Sequence, residues 1–158
     1  MASVIEKQDF IQRVWSEIKG EPMDGFFPSV LIAQAALESN WGQSVLAAKY
    51  NNYFGIKAGS SWTGPTVNMQ TGEVLNGQNV TISSNFRVYN SLIESVRDRN
   101  KLLSTSRYAS VRQAATPLAQ AQAIKDSGYA TALNYVSSIM SVISANHLTE
   151  FDDLKKKL

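Results

Sequence analysis

Val30-Leu31-Ile32-Ala33-Gln34-Ala35-Ala36-Leu37-Glu38-Ser39-Asn40-Trp41-Gly42-Gln43 decides the fold. From Val30 to Leu37 only Gln34 is polar. A helix that is apolar on nearly every face belongs inside a domain. Glu38 follows in the last turn, before Gly42 can end the helix. Burial disfavours an ionised carboxylate, and the partial negative charge of a helix C-terminus acts in the same direction. A Glu kept partly protonated near neutral pH is what general-acid catalysis requires. Ser39 and Asn40 are placed to hydrogen-bond around it, and Trp41 to supply an apolar wall or a sugar-stacking face. The competing reading is a buried helix that ends in an ordinary surface Glu.

The chain has 158 residues, enough for one domain that folds unaided. Its composition, 44% apolar and 18% charged, suits a compact globule and argues against disorder. A net charge of +2 is too diffuse for a nucleic-acid footprint, and no apolar run approaches a membrane span. With no cysteine, disulfides and thiolate chemistry are excluded. The single histidine, His147, lacks the partners of a triad or a multi-histidine metal site and reads as structural or surface. The expectation is an enzyme with no metal and no organic cofactor. Met1 to Lys7 carries no basic-then-apolar export signal, which fits a phage lysin, a virion-associated enzyme or a domain excised from a secreted protein.

Working outward, Ile5 to Ile18 reads as an amphipathic helix stopped by Gly20-Glu21-Pro22. Pro28 or Ser29 opens the central helix, and Ser44 to Tyr50 makes a shorter one. The period then changes. Val67 and Met69, Val80 and Ile82, and Phe86 and Val88 alternate with polar neighbours, and Asn76-Gly77 is a strong turn signal. This predicts a small, mostly exposed β-hairpin with Glu73 on its ascending arm. Helical spacing resumes at Leu92, with Asn90 or Ser91 as cap, and continues through two short helices to a last core helix over Leu133–Ala145. Residues 149–158 read as a solvated, charged tail after a single domain over residues 1–148. The fold class is α+β, mainly α with a segregated hairpin.

With one His and no Cys, carboxylates, tyrosines and hydroxyls remain as catalytic side chains. Glycoside hydrolysis needs only carboxylates, one to protonate the leaving oxygen and one to activate water or stabilise the oxocarbenium-like centre. A helical lobe bearing Glu38 and a hairpin bearing Glu73 would set them on opposite walls of a cleft. Trp41, Tyr53, Phe54 and Trp62 are then candidate sugar platforms, with core packing as the alternative for each.

Ala35-Ala36-Leu37-Glu38-Ser39-Asn40-Trp41-Gly42-Gln43 resembles the signature of glycoside hydrolase family 73, the glucosaminidases of flagellar rod-cap muramidases and autolysins. The resemblance continues, in the family's order, through Asn52-Tyr53-Phe54-Gly55-Ile56-Lys57, Trp62-Thr63-Gly64-Pro65 and Thr71-Gly72-Glu73. Phe86-Arg87-Val88-Tyr89, Arg107-Tyr108-Ala109 and Gly128-Tyr129-Ala130-Thr131 complete it. It implies a lysozyme-like α+β fold with a hairpin lobe flanking the active-site cleft, and cleavage of the β-1,4 bond after N-acetylglucosamine in peptidoglycan. By the same resemblance Glu38 is the acid, Glu73 the second carboxylate, and Tyr129 a cleft tyrosine that orients water or the acetamido group. Trp41, Tyr53, Phe54, Trp62 and Tyr135 are the candidate substrate-binding residues. Asp98 matches an acidic family position but is expected to form a structural ion pair.

Two departures stand out. Val74 replaces an aromatic residue after the second Glu, and Ala132-Leu133 replaces Asp-Pro after the tyrosine block, in the loop that positions Tyr129. The expected partners are peptidoglycan strands, with no nucleic acid and no membrane insertion, for a monomer acting on the bacterial cell wall. Direct attack by Glu73, water activation by Glu73 and participation of the substrate's own acetamido group all remain open. Two other readings compete: a muramidase or lytic transglycosylase on the same scaffold, and a non-catalytic wall-binding or structural module.

Overall fold

The computed structural model describes residues 1–158. Its order is α1 (Val4–Ile18), α2 (Pro28–Ser39), α3 (Val45–Tyr50), β1 (Thr66–Leu75), β2 (Gln78–Arg87), α4 (Leu92–Leu102), α5 (Ala109–Gln113), α6 (Pro117–Asp126), α7 (Tyr135–Ala145) and α8 (Thr149–Lys156). A 3-10 turn, Ser106–Tyr108, precedes α5. The α+β expectation holds: helices form the body, and the two strands form a lobe of their own. No helix is long and apolar enough to cross a membrane.

α1 starts at a reciprocal cap, with the Glu6 amide donating to Ser3 Oγ and the Ser3 amide to Glu6 Oε1. Its buried face, Phe10, Ile11, Val14 and Ile18, lies against α2. Pro28 begins α2 with φ already helical and no amide to leave unpaired. Every residue from Pro28 to Ala36 is buried, and α1, α6, α7 and α8 pack around the helix. Val30, Leu31 and Ile32 are fully enclosed; each contributes about 1.5–3 kcal/mol relative to an exposed position. α2 ends two residues before the expected stop. Asn40 takes the left-handed conformation at φ 48°, and Trp41 and Gly42 follow at 58° and 82°. The Ser39 hydroxyl bridges this bend, donating to the Ala35 carbonyl and accepting from the Gly42 amide rather than reaching Glu38.

The hairpin is longer and more regular than its interrupted apolar pattern suggested. β1 and β2 pair antiparallel from Thr66↔Arg87 to Leu75↔Gln78. Asn76 and Gly77, at φ 52° and 76°, form the two-residue turn whose twist matches a right-twisted ribbon. The base of the ribbon is tied to the loop after α3. The Arg87 amide donates to the Ile56 carbonyl, and buried Asn52 bonds the backbone of both Ile56 and Arg87. Asp98 forms the expected structural pair, 2.8 Å from Arg87 Nη1 and accepting from the Tyr89 hydroxyl.

The C-terminal segment departs from expectation. Residues read as a solvated tail form helix α8, packed on α2. Asp152 accepts from both the amide and the hydroxyl of Ser29, at 2.8 and 2.7 Å, and so caps the N-terminus of α2. Phe151 packs on Trp15 with ring centroids 5.0 Å apart. His147 is exposed in the turn between α7 and α8.

Candidate active site

A cavity of about 970 Å³ separates the helical body from the hairpin, and Glu38 and Glu73 both line it. Glu38 reaches it from the last turn of α2, half-buried. Gly55 forms the adjoining wall at φ 64°; a Cβ there would lie 3.0 Å from Glu38 Oε2, so the glycine lets the loop close over the carboxylate. No donor of the protein hydrogen-bonds this carboxylate, and desolvation therefore dominates its ionisation. Burial pushes the Glu38 carboxyl from 4.5 up to about 7, and repulsion from Glu73 acts in the same direction.

Glu73 stands near the turn end of β1, where alternation turns it toward the cavity. Lys57 Nζ lies 2.7 Å from its Oε1, and the Thr131 hydroxyl donates to its Oε2. The same hydroxyl accepts from the Val74 amide at 3.1 Å, so Thr131 binds hairpin backbone and carboxylate together. Burial alone would raise the Glu73 carboxyl. The hydrogen bonds from Lys57 and Thr131, with the Lys57 charge, outweigh it and hold the group below the ordinary carboxylate value. One cavity thus holds one carboxyl still partly protonated near neutrality and one that stays ionised.

Tyr129 and Tyr135 also line the cavity, as does Phe54. The Tyr129 hydroxyl donates to the Phe54 carbonyl at 2.7 Å, joining the α6–α7 loop to the wall beside Glu38. Its proton is thereby engaged, and it offers the cavity only lone pairs. The Tyr135 hydroxyl accepts from Gln34 Nε2 at 3.0 Å.

Three expected platforms sit elsewhere. Trp41 is half-buried against Phe10, centroids 6.2 Å apart and nearly perpendicular, with Lys7 Nζ 5.1 Å from its ring centroid. Tyr53 is buried, its hydroxyl accepting from Arg13 at 2.5 Å. Both are drawn back by α1 and support the wall from behind. Trp62 lies at the base of the hairpin, edge-on to Tyr89 and under the Arg87 guanidinium, with Nε1 donating to the Pro65 carbonyl. It lines a separate shallow cavity of about 270 Å³ with Tyr89 and Asp98. Trp41, Tyr53 and Trp62 thus lie outside the cavity that holds Glu38 and Glu73, whereas Phe54 and Tyr135 line it.

Sequence reasoning missed Lys57, Thr131 and Gln34. Thr131 lies in the same short block as Tyr129, and Gln34 is the one polar side chain in the buried run of α2. Those two positions were the available signals.

The sequence profile described as "Mannosyl-glycoprotein endo-beta-N-acetylglucosaminidase", named Glucosaminidase, matches residues 18–148. Exo-glucosaminidase LytG of Bacillus subtilis is 39% identical over 137 residues, covering 83% of this chain and 48% of its own. Peptidoglycan hydrolase FlgJ of Salmonella typhimurium is 37% identical over 144 residues, covering 87% and 46%. The chain therefore spans about half the length of these curated relatives. The catalytic domain of the autolysin Auto from Listeria monocytogenes superposes with a TM-score of 0.77 at 34% identity, over 96% of this chain and 90% of that domain.

Proposed function

Because the chain belongs to the glucosaminidase family, glycoside hydrolase family 73, we propose that it hydrolyses the β-1,4 bond between N-acetylglucosamine and N-acetylmuramic acid in peptidoglycan. The observation that carries the proposal is the divergence of Glu38 and Glu73 in one cavity, one carboxyl raised to about 7 and the other held low. Two carboxyls pushed apart by their surroundings mark an acid and its ionised partner.

Glu38 gives its proton to the glycosidic oxygen as the bond from C1 breaks. Positive charge grows on C1, and the Glu73 carboxylate faces the cavity in which it develops. Water then supplies hydroxide to C1, and its remaining proton restores the acid–base pair. Whether Glu73 attacks C1, deprotonates the water or stabilises the charge while the acetamido oxygen attacks, the starting protonation is the same: Glu38 neutral and Glu73 charged. The similarity to LytG, a glucosaminidase, supports the choice of bond, and the similarity to FlgJ, a peptidoglycan hydrolase, supports the polymer.

Digestion of purified peptidoglycan by the wild type and Glu38→Gln, followed by borohydride reduction and mass spectrometry of the fragments, tests this. The expected result is reduced N-acetylglucosamine ends from the wild type alone. Ends of muramic or anhydromuramic acid would overturn the bond assignment and leave the enzyme class. Wall binding without release of ends by the wild type would make this a binding module.

A further inference from the structure

Arg99 is fully buried, and no carboxylate pairs with it. Its guanidinium carbon lies 5.1 Å from the ring centroid of Phe26 and 5.9 Å from that of Phe54. Nη1 donates to Asn100 Oδ1, Nε donates to Gln34 Oε1 at 2.9 Å, and Nη2 has no partner. An uncompensated buried cation is a poor way to stabilise a core, since an apolar side chain of similar volume usually does better. The charge calls for a role beyond packing.

That role follows from hydrogen-bond direction. A guanidinium has donors only, so the Gln34 atom facing it must be the carbonyl oxygen. The Gln34 amide nitrogen is then obliged to face Tyr135, and it donates to the phenolic oxygen at 3.0 Å. With that lone pair occupied and no protein acceptor for its own hydrogen, the Tyr135 hydroxyl must direct its proton away from Gln34. Tyr135 lines the cavity that holds Glu38 and Glu73. The neighbouring Tyr129 has the reverse polarity, its proton given to Phe54.

We propose that Arg99 and Gln34 are positioning residues that fix Tyr135 as a one-way hydrogen-bond donor toward an acceptor oxygen of the bound N-acetylated glycan. The inference rests on the glycan-hydrolase reading above. The acetamido carbonyl is the strongest neutral acceptor such a sugar carries. Tyr129, presenting lone pairs, complements Tyr135 as an acceptor for a glycan or water hydrogen.

The test is to reverse the relay without changing its shape. Gln34→Glu puts a carboxylate against Arg99, forming an ion pair, and turns an acceptor toward Tyr135, whose proton must then point inward. We expect Gln34→Glu to keep or raise the melting temperature while lowering kcat/KM on peptidoglycan about tenfold or more, a loss matched by Tyr135→Phe. In Gln34→Glu/Tyr135→Phe the losses should not add, because both substitutions remove the same donor. Wild-type turnover in Gln34→Glu, or additive losses in the double variant, would overturn the proposal. Calorimetric binding of a tetramer of N-acetylglucosamine in a Glu38→Gln background reads the donor independently of turnover. Affinity about tenfold weaker on adding either substitution supports it, and unchanged affinity overturns it. A wild type that releases no ends fails the hydrolase reading, and this binding measurement still decides the donor.

Discussion

Glu38 and Glu73 face one cavity from opposite kinds of structure. Glu38 ends a helix enclosed on all sides by other helices, and no donor of the protein meets its carboxylate. Glu73 projects from a two-stranded ribbon with no layer behind it, and two side chains, Lys57 and Thr131, hold it. The helical body dehydrates the carboxyl at the end of α2, and its loops reach out to the hairpin carboxylate with a charge and hydrogen bonds. Burial disfavours the ionised form of both groups; the different outcome comes from the partners that only Glu73 has. Acid and base character therefore need no difference in residue type, only in what surrounds it.

Glu38→Gln, the substitution in the digestion above, removes the only proton donor of the pair, and activity should fall roughly a hundredfold to ten-thousandfold. Glu73→Gln breaks the comparison from its other side. It removes the ionised partner but keeps the bond from Lys57 in reach of an amide oxygen, so the hairpin should stay docked. A loss smaller than that of Glu38→Gln, on the order of a hundredfold, is expected because water or the acetamido oxygen can still reach C1. Kinetics of the two variants on the same peptidoglycan checks the order. Full activity in Glu73→Gln would reduce the hairpin to a substrate-binding lobe.

Those parts of this contrast that are local in sequence were legible without a structure. The apolar run from Val30 to Leu37, with Glu38 directly behind it, announced both the buried helix and its strained carboxyl. Asn76-Gly77 announced the hairpin, because few other pairs tolerate two consecutive positive φ values. What stayed hidden depends on distant partners. Glu73 is held by Lys57, 16 residues away, and by Thr131, 58 residues away. Asp152 meets Ser29 across 123 residues, so a segment that looked like a solvated charge run became a helix cap. The placement of two expected aromatic platforms was hidden for a related reason. Trp41 and Tyr53 lie in the right blocks, but Phe10 and Arg13 of α1 take them to the back of the wall.

The two ionisations sharpen the comparison over pH. With Glu38 as the proposed acid, kcat/KM should fall tenfold per unit as pH rises beyond about 7. With Glu73 as the proposed ionised partner, the acid limb should begin only below the ordinary carboxylate range. The fold itself carries the same signature. A carboxyl whose folded pKa is raised contributes stability fully present below its unfolded value of 4.5, and that contribution is lost as pH rises through about 7. The melting temperature of the wild type should therefore drop relative to Glu38→Gln across this window, and the two should change in parallel below it. A pH-independent difference would place the basic limb on another group.

Thr131→Val is the smallest and most discriminating change. Valine keeps the shape but removes the oxygen that accepts from the Val74 amide and donates to Glu73. Lys57 remains, half-exposed and partly screened by solvent, so Glu73 should stay charged at neutral pH. The acid limb should shift upward because one of the bonds that favour the ionised form is gone. Turnover at neutral pH should fall only several-fold, through a hairpin less firmly held to the α6–α7 loop, while the basic limb stays in place because Thr131 bonds Val74 and Glu73 and not Glu38. A shift of both limbs together would mean that the lobes do not set their carboxyls independently. A shift of neither would assign the ready ionisation of Glu73 to Lys57 alone, and Lys57→Met should then produce the whole effect.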